Sequence, residues 1–246
     1  MTTVNGTTMI GWRARLGLLV PSVNTVVEPE MYAMAPPGVA LITSRLLVPT
    51  VDLSQENLDS IIAAVDDSIG LLPLEELSAI AFCCTGASFY RGGHWDRVLA
   101  ERIAAAAGRP AVTTSGAAVA ALRCLGVRRV AVASPYGDTL NAQLTEFLEA
   151  NEFEVTGLAA LHTESAYANA RHSHQTIYEL ARRADSAGAE GIFIPCTNLP
   201  ASGVVEPLEI DLGKPVVSAN QATFWQALRA AGIRQPLPGL GRLLQM

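Results

Sequence analysis

The sequence predicts an α/β protein of two similar halves, each a parallel sheet covered by helices, related by a pseudo-twofold and flavodoxin-like, with the active site between them. Three observations predict it. Two apolar runs end alike, Ala81-Phe82-Cys83-Cys84-Thr85-Gly86-Ala87 and, more than a hundred residues later, Phe193-Ile194-Pro195-Cys196-Thr197-Asn198-Leu199. Each reads as a buried strand that delivers a thiol to a loop. Each is also preceded by a matching strand-like run, ending Leu19-Val20-Pro21-Ser22-Val23-Asn24-Thr25 in one case and Ala133-Ser134-Pro135-Tyr136-Gly137-Asp138-Thr139 in the other; Pro21 lies 63 residues before Cys84 and Pro135 lies 61 before Cys196. Finally, each is followed by an echo, Arg109-Pro110-Ala111-Val112-Thr113-Thr114-Ser115 and Lys214-Pro215-Val216-Val217-Ser218-Ala219-Asn220, that runs into an Ala-rich helical pattern. Strands alternating with helices imply parallel sheets covered on both faces.

Residues 1–13 read as a flexible N-terminal tail, 14–120 and 222–246 as the first half, and 121–221 as the second. Leu16 to Val20 is the first buried strand, and Pro21 to Thr25 turns into a helix carrying Glu28, Glu30 and Met31. Such a strand-to-helix turn collects unpaired backbone N–H groups and favours anions. Pro36-Pro37-Gly38 breaks the chain before a strand from Val39 to Val48. From Asp52 to Leu72 apolar residues recur at three- and four-residue steps, which predicts one helix packed on the sheet. Ser78 to Cys83 is the strand before Cys84. A glycine-ended loop, Ser88 to Gly93, leads to a helix from about His94 to Ala107, a short strand at Val112 and Thr113, and a helix from Ser115 to Leu125 closed by Gly126. The second half repeats the scheme: strand 129–134, helix 138–150, strand 154–160, a polar loop from His162 to His174, helix 175–187, and the strand Gly191 to Pro195 before Cys196. A short strand at Val216 and Val217, helix 219–231 and a Pro/Gly-rich tail finish the chain.

With 50% hydrophobic and 16% charged residues in 246, the chain has ample core material and is not disordered. A net charge of −6 and no Lys/Arg cluster exclude a nucleic-acid surface. The polar start lacks the pattern of a secretory signal and no stretch is long enough to span a membrane, so a cytoplasmic protein with no membrane partner is expected. The apolar composition is compatible with a homo-oligomer. Four cysteines without disulfide or zinc spacing read as free thiols. Lys214 is the only lysine and sits in a turn, which argues against a pyridoxal cofactor; the four histidines lack carboxylates at useful spacing, which argues against a metal. No cofactor is expected.

Cys84 and Cys196 are the candidate catalytic pair. A thiol carries protons only where its pKa is lowered, and a strand end facing helix N-termini supplies such a field. Strand alternation points Cys83 into the core, and Cys124 falls on an apolar helix face. Ser22, Asn24, Thr85 with the adjoining Gly86, Tyr136, Thr197 and Asn198 come from the matching strand ends. They can hydrogen-bond the oxygens of a small carboxylate substrate or of its enolate. Phe89, Tyr90 and Arg91 read as a loop bordering the cleft, with Tyr90 placed to line it.

These residues resemble the aspartate/glutamate racemase superfamily, in particular its maleate cis-trans isomerases and arylmalonate decarboxylases. Val20 to Glu28 is similar to the N-terminal signature of the former; Ser88 to Gly92 and the ending Phe224-Trp225 with Pro238 to Leu243 are similar to the latter. The resemblance covers almost the whole chain and implies a cofactor-free enzyme. Arylmalonate decarboxylases carry glycine where this chain has Cys84, whereas racemases and maleate isomerases carry both thiols, so the resemblance favours an isomerase. It implies Cys84 as the nucleophile that adds to a double bond, Cys196 as the proton donor, Asn24 and Tyr136 on carboxylate oxygens, and Thr85 and Thr197 assisting. Maleate isomerases have a substrate-binding Asn where this chain has Ala166, with Asn169 three residues beyond. Either Asn169 takes over or the substrate differs. The alternatives are a racemase of an amino acid or related α-substituted acid, an arylmalonate-type decarboxylase, and a two-lobed small-molecule binding protein that would need no thiols.

Overall fold

Two four-stranded parallel sheets carry the molecule, and their strand orders match. The computed structural model describes residues 9–246, so most of the expected tail, residues 1–8, lies outside the described residues. In chain order the first half contains β1 (Ala14–Pro21), α1 (Val27–Met34), β2 (Val39–Leu46), α2 (Gln55–Ala63), α3 (Val65–Gly70), β3 (Ala79–Phe82), α4 (Thr85–Phe89), α5 (Trp95–Ala107), β4 (Ala111–Thr113) and α6 (Thr114–Cys124). The second contains β5 (Arg129–Ser134), α7 (Asp138–Ala150), β6 (Glu154–Ala160), α8 (Ala166–Asn169), α9 (His174–Ala184), β7 (Gly191–Ile194), α10 (Ser202–Leu212) and β8 (Val216–Ser218), and α11 (Ala219–Ala230) then leads back onto the first half. The sheet orders are β2-β1-β3-β4 and β6-β5-β7-β8, all pairings parallel. Strands β3 and β7 are buried along their whole length, which is why both read as unbroken apolar runs rather than as alternating ones.

The halves meet through α6 and α11, which pack on each other; α11 also lies on β3 and β4, and α6 reaches β8. Inside that contact the Thr223 hydroxyl donates to Thr114 Oγ1 at 3.0 Å. Both helices start on a capping side chain, Thr113 for α6 and Ser218 for α11, as the repeated Val-Thr-Thr and Val-Val-Ser strings imply.

Several elements depart from the sequence reading. The expected helix 52–72 begins later, at a Ser54 cap, and divides at Ala64, whose ψ of −3° interrupts the helical hydrogen bonding between α2 and α3. The loop expected at Ser88–Gly93 is in part helix, since α4 runs through Phe89. The polar stretch 162–174 contains α8, capped by Ser165. Helix α10 is an addition: Pro207 in its interior and the acids Glu206, Glu209 and Asp211 mask the period of its buried residues Val204, Val205 and Leu208. Cys124, expected on an apolar face, is exposed at the end of α6. Among the described residues no helix is long and apolar enough to cross a membrane.

In β6 of the second sheet a glycine is required. The β5–β6 register skips a residue so that Ala131 pairs with Gly157, and a Cβ on Gly157 would meet the Ala184 carbonyl at the end of α9 at 2.5 Å. Gly157→Ala is expected to cost about 1–3 kcal/mol, because backbone rather than a flexible side chain must give way. A thermal melt should show Tm lowered by several degrees, at about 2–4 °C per kcal/mol for a chain of this size; an unchanged Tm would mean that the end of α9 yields freely.

Candidate active site

The two thiols arise from equivalent places and adopt different backbone conformations. Strand β3 pairs with β1 up to Cys83, whose N–H donates to the Leu19 carbonyl at 2.9 Å and whose side chain is buried in the core, as strand alternation requires. Cys84 follows in extended conformation at the N-cap of α4, with φ −143° and ψ 110°. Cys196 follows β7 with φ +81°, in the left-handed region. For a non-glycine residue that conformation costs on the order of 1–3 kcal/mol and persists only where neighbours hold it.

What holds it is a lattice of hydrogen bonds between the halves. The Cys196 N–H donates to Thr85 Oγ1 at 3.2 Å, and the Thr197 hydroxyl donates to the Cys83 carbonyl at 3.0 Å, so each Cys-Thr turn grips the other. Asn24 Nδ2 donates to Thr197 Oγ1 at 3.0 Å, while Asn24 Oδ1 accepts the N–H groups of Val26 and Val27 at the start of α1. Asn198 Oδ1 accepts the Thr25 N–H at 2.9 Å and its Nδ2 donates to the Ala166 carbonyl at 2.7 Å. The Asn198 side chain is thereby committed to joining the halves, although it borders the cavity. Asn24 keeps one N–H of its amide for a ligand.

Between the turns lies a small cleft. Cys84, Thr85 and Gly86 line it from one half and Cys196, Thr197 and Asn198 from the other, with Asn24, Tyr136 and Asn169 beside them. All the expected site residues therefore converge except Ser22. That side chain is exposed and accepts the Val48 N–H at 3.1 Å, because the chain turns at Pro21 and points it away from the cleft. Tyr90 also lies elsewhere: it is buried, with its hydroxyl donating to Asp59 at 2.5 Å and Arg91 stacked on its ring. Asn169 is delivered by α8, 1% exposed; its Nδ2 points to Cys196 Sγ at 3.6 Å and its Oδ1 has no partner.

The remaining wall escaped the sequence reading. Val48, Leu53, Leu58, Ile61 and Leu140 make one side of the cleft apolar, and Asp52 stands at its edge. They come from the β2–α2 segment, α2 and α7, where their apolar spacing reads only as core. Asp52 is the only ionised side chain among the described lining residues. Hydrogen bonds from Ser54 and Thr50 hold its carboxyl at about 2.

Burial decides the charge state of the thiols, and in the direction opposite to the expected one. It pushes Cys84 up to about 11, opposed by the Ala87 N–H at the first turn of α4. Cys196 is pushed up to about 12, again by burial first, opposed by the Asn198 N–H and further raised by the proximity of Cys84. One N–H from a short turn does not offset removal of a thiolate from water. Tyr136 is raised well above its usual range by burial and then by the two cysteines. The two thiols and Tyr136 are thus neutral at rest, and a negative charge on either sulfur opposes ionisation of the other.

With that geometry in place, the chain can be set beside known proteins. A family model for arylmalonate decarboxylase matches residues 16–244. The arylmalonate decarboxylase of Bordetella bronchiseptica is 35% identical over 231 residues, covering 93% of this chain and 95% of that protein. The maleate isomerase of Nocardia farcinica is 31% identical over 241 residues, covering 94% and 95%. Among solved structures, a variant of maleate isomerase Iso from Pseudomonas putida S16 with maleate superposes with a TM-score of 0.89 at 26% identity, over 94% of this chain and 97% of that one. A serine-for-cysteine variant of the Nocardia farcinica maleate cis-trans isomerase with a covalently bound succinylcysteine intermediate gives 0.88 at 26% identity, over 94% and 98%.

Proposed function

The chain belongs to the arylmalonate decarboxylase family, and from that premise we propose that it is a cofactor-independent isomerase converting maleate, or a close cis-unsaturated acid, to the trans isomer through Cys84 and Cys196. The observation that carries the reading is the pair of thiols lining one cleft from equivalent strand ends. Two thiols that resist joint ionisation share one proton once the first is lost, which gives one nucleophile and one acid. Cys84 is the less buried of the two and sits at the N-cap of α4, so it is the thiolate. Its sulfur adds to one alkene carbon, and the electron pair of the double bond moves toward the neighbouring carboxylate. Cys196 gives its proton to the second alkene carbon. Rotation about the new single bond is followed by return of that proton to Cys196 and loss of Cys84, which restores both sulfurs. Tyr136, Thr85, Asn169 and the free N–H of Asn24 hold the carboxylate oxygens where charge gathers. The succinylcysteine intermediate held by the Nocardia farcinica isomerase variant supports the addition step.

A second reading draws on the apolar wall and on the lack of a Lys, Arg or His among the described lining residues. An α-substituted acid with one carboxylate and an apolar group also suits this cleft, with one sulfur removing and the other returning the α-proton. Proton NMR of the protein with maleate in deuterated buffer tests the first reading: fumarate should appear. If maleate is untouched and chiral α-substituted acids lose optical purity while gaining deuterium, the second reading replaces it. Loss of carbon dioxide from arylmalonates would make the protein a decarboxylase, and ligand binding without any turnover a binding protein.

A further inference from the structure

The two Cys-Thr turns rest on equivalent supports. In the first half Ser115, the second residue of α6, donates its hydroxyl to the Thr85 carbonyl at 3.1 Å. In the second half Asn220, the second residue of α11, donates Nδ2 to the Thr197 carbonyl at 3.1 Å. Behind these supports the halves differ. Ser115 is backed by the Ser88 hydroxyl of its own half, at 2.7 Å. Asn220 is backed by a carboxylate of the opposite half, with Nδ2 donating to Glu30 Oε2 at 2.6 Å.

The other oxygen of that carboxylate is also engaged. Glu30 Oε1 accepts the backbone N–H of Ser202, the first residue of α10, at 2.8 Å. One side chain on α1 therefore grips the segment from Thr197 to Ser202 at both ends, through Asn220 at Thr197 and directly at Ser202. Among the described residues the grip has no counterpart on the other thiol. Glu30 stands nine residues after Pro21, and nine residues after Pro135 stands Leu144, a core residue of α7. The clamped turn is also the one whose cysteine is left-handed and needs holding.

We propose that Glu30 is a positioning residue for Cys196: through Asn220 and Ser202 it fixes the turn that aims this sulfur into the cleft. Its consequence for turnover rests on Cys196 being a reacting thiol, as read above, whereas its consequence for the Cys196 sulfur itself does not. Glu30→Gln keeps size and shape but leaves one oxygen where two N–H donors need acceptors, so an N–H must face an N–H.

The test is peptide-resolved mass spectrometry of iodoacetamide labelling at both thiols in the wild-type protein, Glu30→Gln and Asn220→Ala, with maleate kinetics alongside. Loosening the turn should change labelling of Cys196 by about threefold or more and leave Cys84 unchanged. In Glu30→Gln, kcat should fall by about ten- to a hundredfold with KM little altered, as for a reacting group displaced by an ångström or less. Asn220→Ala removes the same link from the other side and should reproduce the selective change, which covers the case of Glu30→Gln failing to fold. Equal changes at both thiols, or none at either, would overturn the proposal. If the wild-type protein leaves maleate untouched, the function reading fails, but the labelling still decides the role of Glu30.

Discussion

With Cys84 replaced by Ser, turnover of maleate should fall on the order of 10⁴-fold or more while maleate still binds. A serine hydroxyl fits the space of the thiol, and the cleft owes its shape to hydrogen bonds that leave Sγ out: Thr85 to Cys196, Thr197 to Cys83, Asn24 to Thr197 and Asn198 to Ala166. What is lost is the nucleophile, since a hydroxyl is not ionised at any pH the fold survives. Calorimetric titration with maleate beside initial rates separates the two effects, and a variant retaining a hundredth of the activity would remove Cys84 from the chemistry. The wild-type rate should also carry the mark of the buried thiol. With Cys84 at about 11, the thiolate fraction of the free enzyme grows about tenfold per pH unit from neutrality upward, so kcat/KM should climb with that slope toward pH 10. A flat profile over that range would mean that a group other than a buried thiol sets the rate.

Much of this site was legible because parallel sheets put chemistry at strand ends. Cys84-Thr85 and Cys196-Thr197 could be paired from the sequence since each closes an unbroken apolar run, and the topology then brings equivalent ends together. Asn169 was reachable only through the resemblance to maleate isomerases, which puts a substrate-binding Asn at Ala166, and the helix that delivers it was not. Ser22 was misplaced because a strand end fixes where a residue stands but not which way the following turn faces. The apolar wall stayed hidden for another reason: Leu58 and Ile61 sit on the same periodic stripe as core residues, and only the placing of α2 beside Leu140 of α7 across the cleft makes them line it. The ionisation of the thiols was misjudged on magnitude, as the field of a five-residue helix competes with the desolvation of a largely buried sulfur. Glu30 gave no signal, since a carboxylate three residues into a helix is ordinarily a solvated group.

Cys196→Ser should behave differently from the Cys84 variant, and the difference tests the division of labour. Addition of Cys84 to maleate needs a proton for the second carbon only once, and solvent can supply it slowly through the open side of the cleft. Release needs that proton removed again by a base on the same face, and a serine hydroxyl at the left-handed position is a poor one. Turnover should therefore drop by about 10²–10⁴-fold, the usual worth of a positioned acid–base group, and the thioether should accumulate. Intact-mass measurement after incubation should show the protein heavier by one maleate, and peptide mapping should put the adduct on Cys84 rather than on the exposed Cys124 or the buried Cys83. A Cys196→Ser protein that turns over without accumulating an adduct would make Cys196 a bystander. One that loses activity, stays unmodified and still exchanges the α-proton of a chiral acid on one face only would shift the assignment to the racemase, in which each sulfur serves its own face of the substrate.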